Sequence, residues 1–128
     1  MNYPNSVTEH FFNPKNIGTL SSSETNVGMA HVGSYAAGDV IELSLCIEQD
    51  MIKDAKFKAF GNPYIIAGMS LLTTLLIGKT NEEATQITYQ DFVKHLSLPP
   101  IKLYCALLIE DAIKAALTDY QRKQCLEN

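Results

Sequence analysis

Between residues 39 and 48 apolar and polar positions alternate. Ile41, Leu43, Leu45 and Ile47 share one side, and Glu42, Ser44, Cys46 and Glu48 share the other, the two-residue period of a strand with one buried face. Cys46 is therefore expected to face outward or toward a covering loop. The stretch 51–60 also alternates, with Ala55, Phe57 and Ala59 opposite Lys56 and Lys58. The short EQD segment between the two predicts an antiparallel hairpin. A third strand-like stretch covers 26–34, after a short helix near residues 3–12 and the turn NPKNIG.

From residue 62 the period becomes helical. Asn62 followed by Pro63 is a helix-start signal, because the Asn side chain accepts from an orphan backbone N–H and Pro at the first helical position loses no needed donor. The segment YIIAGMSLLTTLLIG is apolar nearly all round, which predicts a buried helix stopped near Gly78. Thr80 with Glu83 forms a capping-box signature, and Thr88 opens another short helix before LSLPP breaks the chain. In the last helix Ile101, Tyr104, Cys105, Leu108, Ala112, Ala115 and Ala116 recur at three- and four-residue intervals and are expected on one inner face. Strands followed by helices predict an α+β fold, helices packed on a small antiparallel sheet.

The length of 128 residues, 46% of them hydrophobic, suits one unit spanning 1–128 with a sizeable core. Ten scattered Lys and Arg and a net charge of -4 argue against nucleic acid, whose phosphates require clustered cations. No apolar run reaches the roughly 18 residues of a spanning helix, and MNYPNSVTEHFF does not read as a secretory signal. A cytoplasmic protein with no membrane partner is expected. The three cysteines, Cys46, Cys105 and Cys125, stand at wide spacings without a C-x-x-C pair, and their spacing alone suggests free thiols in a reducing compartment. His10 and His31 read as packing or surface residues, and His95 as a helix-ending cation.

Four ordered blocks add a resemblance. NPKNIG (Asn13 to Gly18), AAGDV (Ala36 to Val40), DAKFKAFG (Asp54 to Gly61) and LPPIKLYCALLIEDAIKAA (Leu98 to Ala116) together resemble the IscU/NifU-type iron–sulfur cluster assembly scaffold, colinearly from about Tyr3 to about Lys123. The resemblance implies a three-stranded sheet with helices on one side. It also implies a two-iron cluster assembled on three cysteine thiolates, with an aspartate and a histidine beside the third; thiolates suit iron and bridging sulfide because they are soft, strong donors. Carried over, the first cysteine position holds Ala37, the second Asn62 and the third Cys105. The aspartate is Asp39, and the histidine position holds Tyr104.

Two of the three thiolates are thus replaced. Alanine binds no metal, and Asn62 is better used as a helix cap. Asp39 and Cys105, even with Tyr104, form at most a mixed set for one ion, so the expectation is no cofactor held by the protomer itself, or iron or an iron–sulfur cluster held weakly or transiently. Asp39 after Gly38 also reads as a turn residue. Cys105 reads either as a core thiol or, if the helix start and Lys102 lower its pKa, as a persulfide acceptor. Leu98, Pro99, Pro100, Ile101 and Lys102 form either a rigid connector or, as the resemblance implies, a peptide for a DnaK-like chaperone.

The expected role is that of a scaffold-like, non-enzymatic protein with a degenerate metal site, a partner-binding adaptor or regulator in iron–sulfur cluster biogenesis that keeps the scaffold's shape. Its partners would be a cysteine desulfurase, the chaperone with its co-chaperone, and an intact scaffold. One alternative is a working scaffold or sulfur/iron carrier using Cys105 and Asp39 with ligands from a partner or second subunit. The other is a binder of an unrelated small ligand in the pocket vacated between Ala37, Asn62 and Tyr104.

Overall fold

The computed structural model describes residues 5–127. In chain order it contains α1 (Asn5–Phe12), β1 (Val27–Ser34), β2 (Asp39–Glu48), β3 (Met51–Phe60), α2 (Pro63–Leu76), α3 (Asn81–Thr85), α4 (Tyr89–Leu96), one 3-10 turn (Pro100–Lys102) and α5 (Leu103–Glu127). Residues 3 and 4, expected to open the first helix, lie outside the described residues. The sheet is antiparallel in the order β1-β2-β3, so the expected α+β fold is the one observed.

Local signals account for most boundaries. Gln49 and Asp50 both have left-handed φ, 51° and 65°, the conformation whose twist matches a two-residue hairpin. Asn62 caps α2 by accepting from the Tyr64 N–H at 2.8 Å. Thr80 and Glu83 make the reciprocal bonds of a capping box, and Asp91 accepts from the Thr88 N–H at the start of α4. Helix α2 ends at Leu76; Gly78 follows with a φ of 94°, and its N–H turns away to the Ile52 carbonyl of the sheet.

One strand departs from simple alternation. Pairing slips between Cys46 and Ile47, so that Cys46 faces Asp54 while Ile47 faces Ile52. Lys53 is the extra residue of this bulge, and it allows Ile52 and Ala55, three apart, both to be fully buried where a regular pleat would put them on opposite faces.

The inner face of the sheet, carrying Ile41, Leu43, Leu45 and Ile47, is covered by α5 across β1 and β2 and by α2 against β3. Two close approaches set these helices. A Cβ on Gly28 of β1 would run into the Ala116 carbonyl oxygen of α5, and one on Gly68 of α2 would run into the Ile109 side chain. The buried face of α5 is Cys105, Ala106, Ile109, Ala112, Ile113, Ala116 and Leu117, turned by one residue from the expected stripe. Ile101 (80% exposed) and Tyr104 (45%) are outside it. Pro99 and Pro100 delay the α-helix until Leu103, so Ile101 never enters its phase.

On the outer face the loop 19–26 bonds to three successive polar positions of β2: Thr19 Oγ1 donates to Glu42 (2.7 Å), the Leu20 N–H to Ser44 Oγ (3.0 Å) and Asn26 Nδ2 to Cys46 Sγ (3.5 Å). Cys46 thus faces a covering loop, one of the two expected outcomes. Lys123 of α5 holds that loop from its other side, donating to the carbonyls of Ser22 and Val27 at 2.7 Å each.

Both sheet edges carry partners from outside the sheet. Along β3, the Phe57 N–H donates to the Asn16 carbonyl and the Gly18 N–H to the Phe57 carbonyl, a short parallel addition that explains NPKNIG. The same segment is pinned to α2, where the fully buried Ser70 pairs with His10 Nδ1 (2.7 Å) and accepts from the Lys15 N–H, and Thr73 accepts from Asn16. Along β1, Asp119 of α5 accepts from the Met29 N–H at 2.9 Å. Partial burial works against that carboxylate, yet the bonds from Arg122 and Met29 and the charge of Lys123 hold it below the ordinary range. Among the described residues no helix is long and apolar enough to cross a membrane.

Two outcomes are expected. Gly28→Ala meets backbone rather than a yielding side chain and should lower unfolding stability by about 1–3 kcal/mol; an unchanged denaturant midpoint would contradict the close approach. Because the folded pKa of Asp119 is depressed, its stabilisation is present above the unfolded carboxyl value and is lost as pH falls through the folded one. The stability gap between wild type and Asp119→Asn should therefore narrow from neutral pH toward pH 3, and a gap constant with pH would refute the assignment.

Candidate metal-site remnant

The β1–β2 corner is built from small residues. Ala37 N–H bonds back to Ser34, Gly38 N–H to the Tyr35 carbonyl, and Gly38 turns the chain with a φ of 90°. Immediately after it Asp39 begins β2, paired with Ser34, its side chain directed inward and 9% exposed. Space for that carboxylate comes from Gly61, where a Cβ would collide with Asp39 Oδ1. The two glycine-bearing blocks therefore meet face to face.

Asn62 stands where three segments converge. Its Oδ1 is committed to the Tyr64 N–H. Its Nδ2 lies 3.2 Å from Tyr104 Oη, 3.4 Å from Cys105 Sγ and 3.5 Å from Asp39 Oδ1. An amide nitrogen has two protons for these three acceptors, so the set shares them. Asp39, Asn62, Tyr104 and Cys105 are thus brought together, as the resemblance implied. Ala37 remains exposed on the corner and lines, with Asp39, Tyr104, Leu107 and Asp111, a cleft of about 290 Å³ that Asn62 does not line.

The thiol does not behave as a helix-start thiolate. Burial pushes the Cys105 thiol up, the bonds from Asn62 and Tyr104 pull it down, the Asp39 charge adds to the rise and Lys102 opposes it; the result is above the ordinary thiol value. Of the two readings of Cys105, this direction favours the core thiol: desolvation of the fully buried residue outweighs the pull of Lys102. The Tyr104 hydroxyl is raised as well, first by desolvation and then by Cys105 and Asp39, so it stays neutral. Cys46 is raised by burial and by the carboxylates of Glu48, Asp54 and Glu24, and Cys125 is exposed at the far end of α5; neither joins the site.

Among the described residues no group of three or more His, Cys, Asp or Glu side chains is placed to hold a metal ion. His10 is engaged with Ser70, His31 lies exposed on β1 and His95 exposed in the last turn of α4. A cluster needs close to four soft donors, and one neutral thiol, one carboxylate and a phenol beside an amide N–H do not fit it.

Next to this end, the connector presents Leu98 buried at 8% exposure while Ile101 stands out; the 3-10 turn closes with the Lys102 N–H on the Pro99 carbonyl. Lys102 Nζ sits 5.8 Å over the Tyr104 ring. Sequence reasoning missed the exposed aromatic pair Tyr35 and Phe60, whose ring centroids are 5.5 Å apart. The available signal was that each flanks one of the two glycine blocks.

Comparison with known proteins agrees with this architecture. The chain is 50% identical over 125 residues, 98% of this chain and 91% of the relative, to iron sulfur cluster assembly protein 1 of Trachipleistophora hominis. It is 47% identical over 125 residues, 97% of this chain and 95% of the relative, to the iron-sulfur cluster assembly scaffold protein IscU of Rickettsia prowazekii. In fold it is similar to the crystal structure of the N-terminal part of a nitrogen-fixing NifU-like protein from Brucella abortus, with a TM-score of 0.72, 18% identity and coverage of 94% of each chain. A family model described as the NifU-like N terminal domain matches residues 2–127, and the chain belongs to that family of iron–sulfur cluster assembly scaffolds.

Proposed function

We propose that this chain works in iron–sulfur cluster assembly as a partner-binding adaptor or regulator of scaffold shape that holds no cluster on its own. The observation that carries this reading is the occupant of the site: an amide N–H faces the carboxylate, the phenol and the one thiol. Donors that would otherwise converge on a cation converge on a hydrogen-bond donor instead. Shape is kept while the ligand set is not.

The partners follow from what is still presented. The Leu98–Lys102 connector keeps Leu98 anchored and offers Ile101 to solvent beside the half-buried Lys102, which suits capture by a DnaK-like chaperone with its co-chaperone. A cysteine desulfurase and an intact scaffold are the other partners of this reading, in a reducing compartment such as the cytoplasm. A second reading is favoured by one observation, that Asp39 and Cys105 do face a common point: with ligands added by a partner or second subunit, the pair would serve a scaffold or carrier.

The deciding experiment is anaerobic reconstitution with iron, cysteine and a cysteine desulfurase, followed by iron and acid-labile sulfide per protomer and the visible spectrum. The expected outcome is neither iron nor sulfide retained after gel filtration; about two of each would establish a working scaffold. In the double variant Ala37→Cys with Asn62→Cys, retained iron and sulfide should rise and colour should appear. If that variant is folded by circular dichroism yet stays colourless, loss of thiolates is not what disabled the site.

A further inference from the structure

We propose that the Asn62 amide serves as a fixed, metal-free clasp: it ties the start of β2, the N-terminus of α2 and the first turn of α5 into one closed end, holding the fold together there and shielding Cys105 without an ion. The inference deepens the metal-free reading of the site and rests on it.

The clasp is directional. Tyr64 N–H takes Oδ1 at 2.8 Å, so the amide cannot flip, and Nδ2 must point to the side where Asp39, Tyr104 and Cys105 lie. All three present acceptors to it: a carboxylate oxygen, a phenol oxygen and a sulfur. Flipped, the amide oxygen would face a carboxylate it cannot bond, so the orientation is fixed at both ends. The three acceptors come from residues 23, 42 and 43 positions away in the chain. A single side chain thus cross-links segments that local structure leaves independent.

The electrostatics match a cation's task at lower charge. Asp39 is buried, and a buried carboxylate is costly unless something positive faces it; here the partial charge of the N–H does. Cys105 Sγ in turn sits 3.8 Å from Asn62 Oδ1, close enough for its S–H to donate back weakly. Both ends of the amide thus lie against the sulfur, Nδ2 at 3.4 Å and Oδ1 at 3.8 Å, and cover it. An amide also holds its charge distribution at any ordinary pH and in any metal concentration, which an ion-closed site does not.

The test uses the purified chain, with no desulfurase and no iron, so its result is separate from that of reconstitution. Thermal unfolding and the rate of Cys105 alkylation, mapped by peptide mass spectrometry, are measured in chelator and with added Zn²⁺, an ion that accepts thiolate and carboxylate. Wild type is expected to unfold at the same temperature in both and to alkylate slowly. Asn62→Asp keeps the size and the helix cap but sets a second carboxylate against Asp39. It should melt roughly 5 °C or more lower in chelator, alkylate at least about tenfold faster, and recover stability with Zn²⁺. Asn62→Ser, which keeps a capping hydroxyl and adds no charge, should melt lower and alkylate faster without recovering with Zn²⁺, and it decides the matter if the aspartate variant does not fold. Wild type that is stabilised by Zn²⁺, or an Asn62→Ser variant that melts and alkylates like wild type, would overturn the proposal, whatever iron and sulfide the reconstituted protein retains.

Discussion

A three-stranded sheet has one interior strand and two edges, and each edge offers a row of unpaired backbone groups to any passing strand. Closing those edges organises the rest of this chain. On the β3 side the work is shared between Asn16–Gly18 and the turn after α2, which adds Lys79 to Asn81 beside Met51 and Ile52. On the β1 side it falls to α5, whose Asp119 reaches the Met29 N–H. The two solutions fix where the N-terminal segment runs and how α5 crosses the sheet. Both fastenings lie away from the β1–β2 corner, the end where Asp39, Asn62 and Cys105 meet.

What was legible in the sequence was local. The pleat of β2, the Asn62-Pro63 start and the Thr80–Glu83 box are written within a few residues, and each stands where the pattern placed it. The bulge at Lys53 is not written that way: it is forced by the need to bury both Ile52 and Ala55, a demand that comes from α2 and the core. The phase of α5 is tertiary too. Its stripe is set by the depth at which Gly28 admits Ala116, and the expected face, counted from Ile101, began in a segment that two prolines keep out of the helix.

The site was legible only through resemblance. Positions 39, 62 and 105 carry no common spacing, so nothing in the order of residues says that they touch. Once they do, solvent exclusion decides their chemistry: a lysine at 102 and a helix start suggest an activated thiol, whereas desolvation of Cys105 leaves a protonated one. High identity to scaffold proteins runs across nearly the whole chain, and the core built from Ile41, Leu43, Phe57, Ile65 and Ile109 reaches the centre only through Cys105, which belongs to the same cluster.

Lys123 donates to carbonyls of Ser22 and Val27, 101 and 96 residues earlier in the chain. During synthesis the strands and the loop 19–26 emerge long before this lysine does, so the loop lacks its outer fastening until nearly all of α5 has been made. Contacts this distant in sequence are slow to form, and before Lys123 is made the loop over Glu42, Ser44 and Cys46 has only its bonds to β2 to hold it.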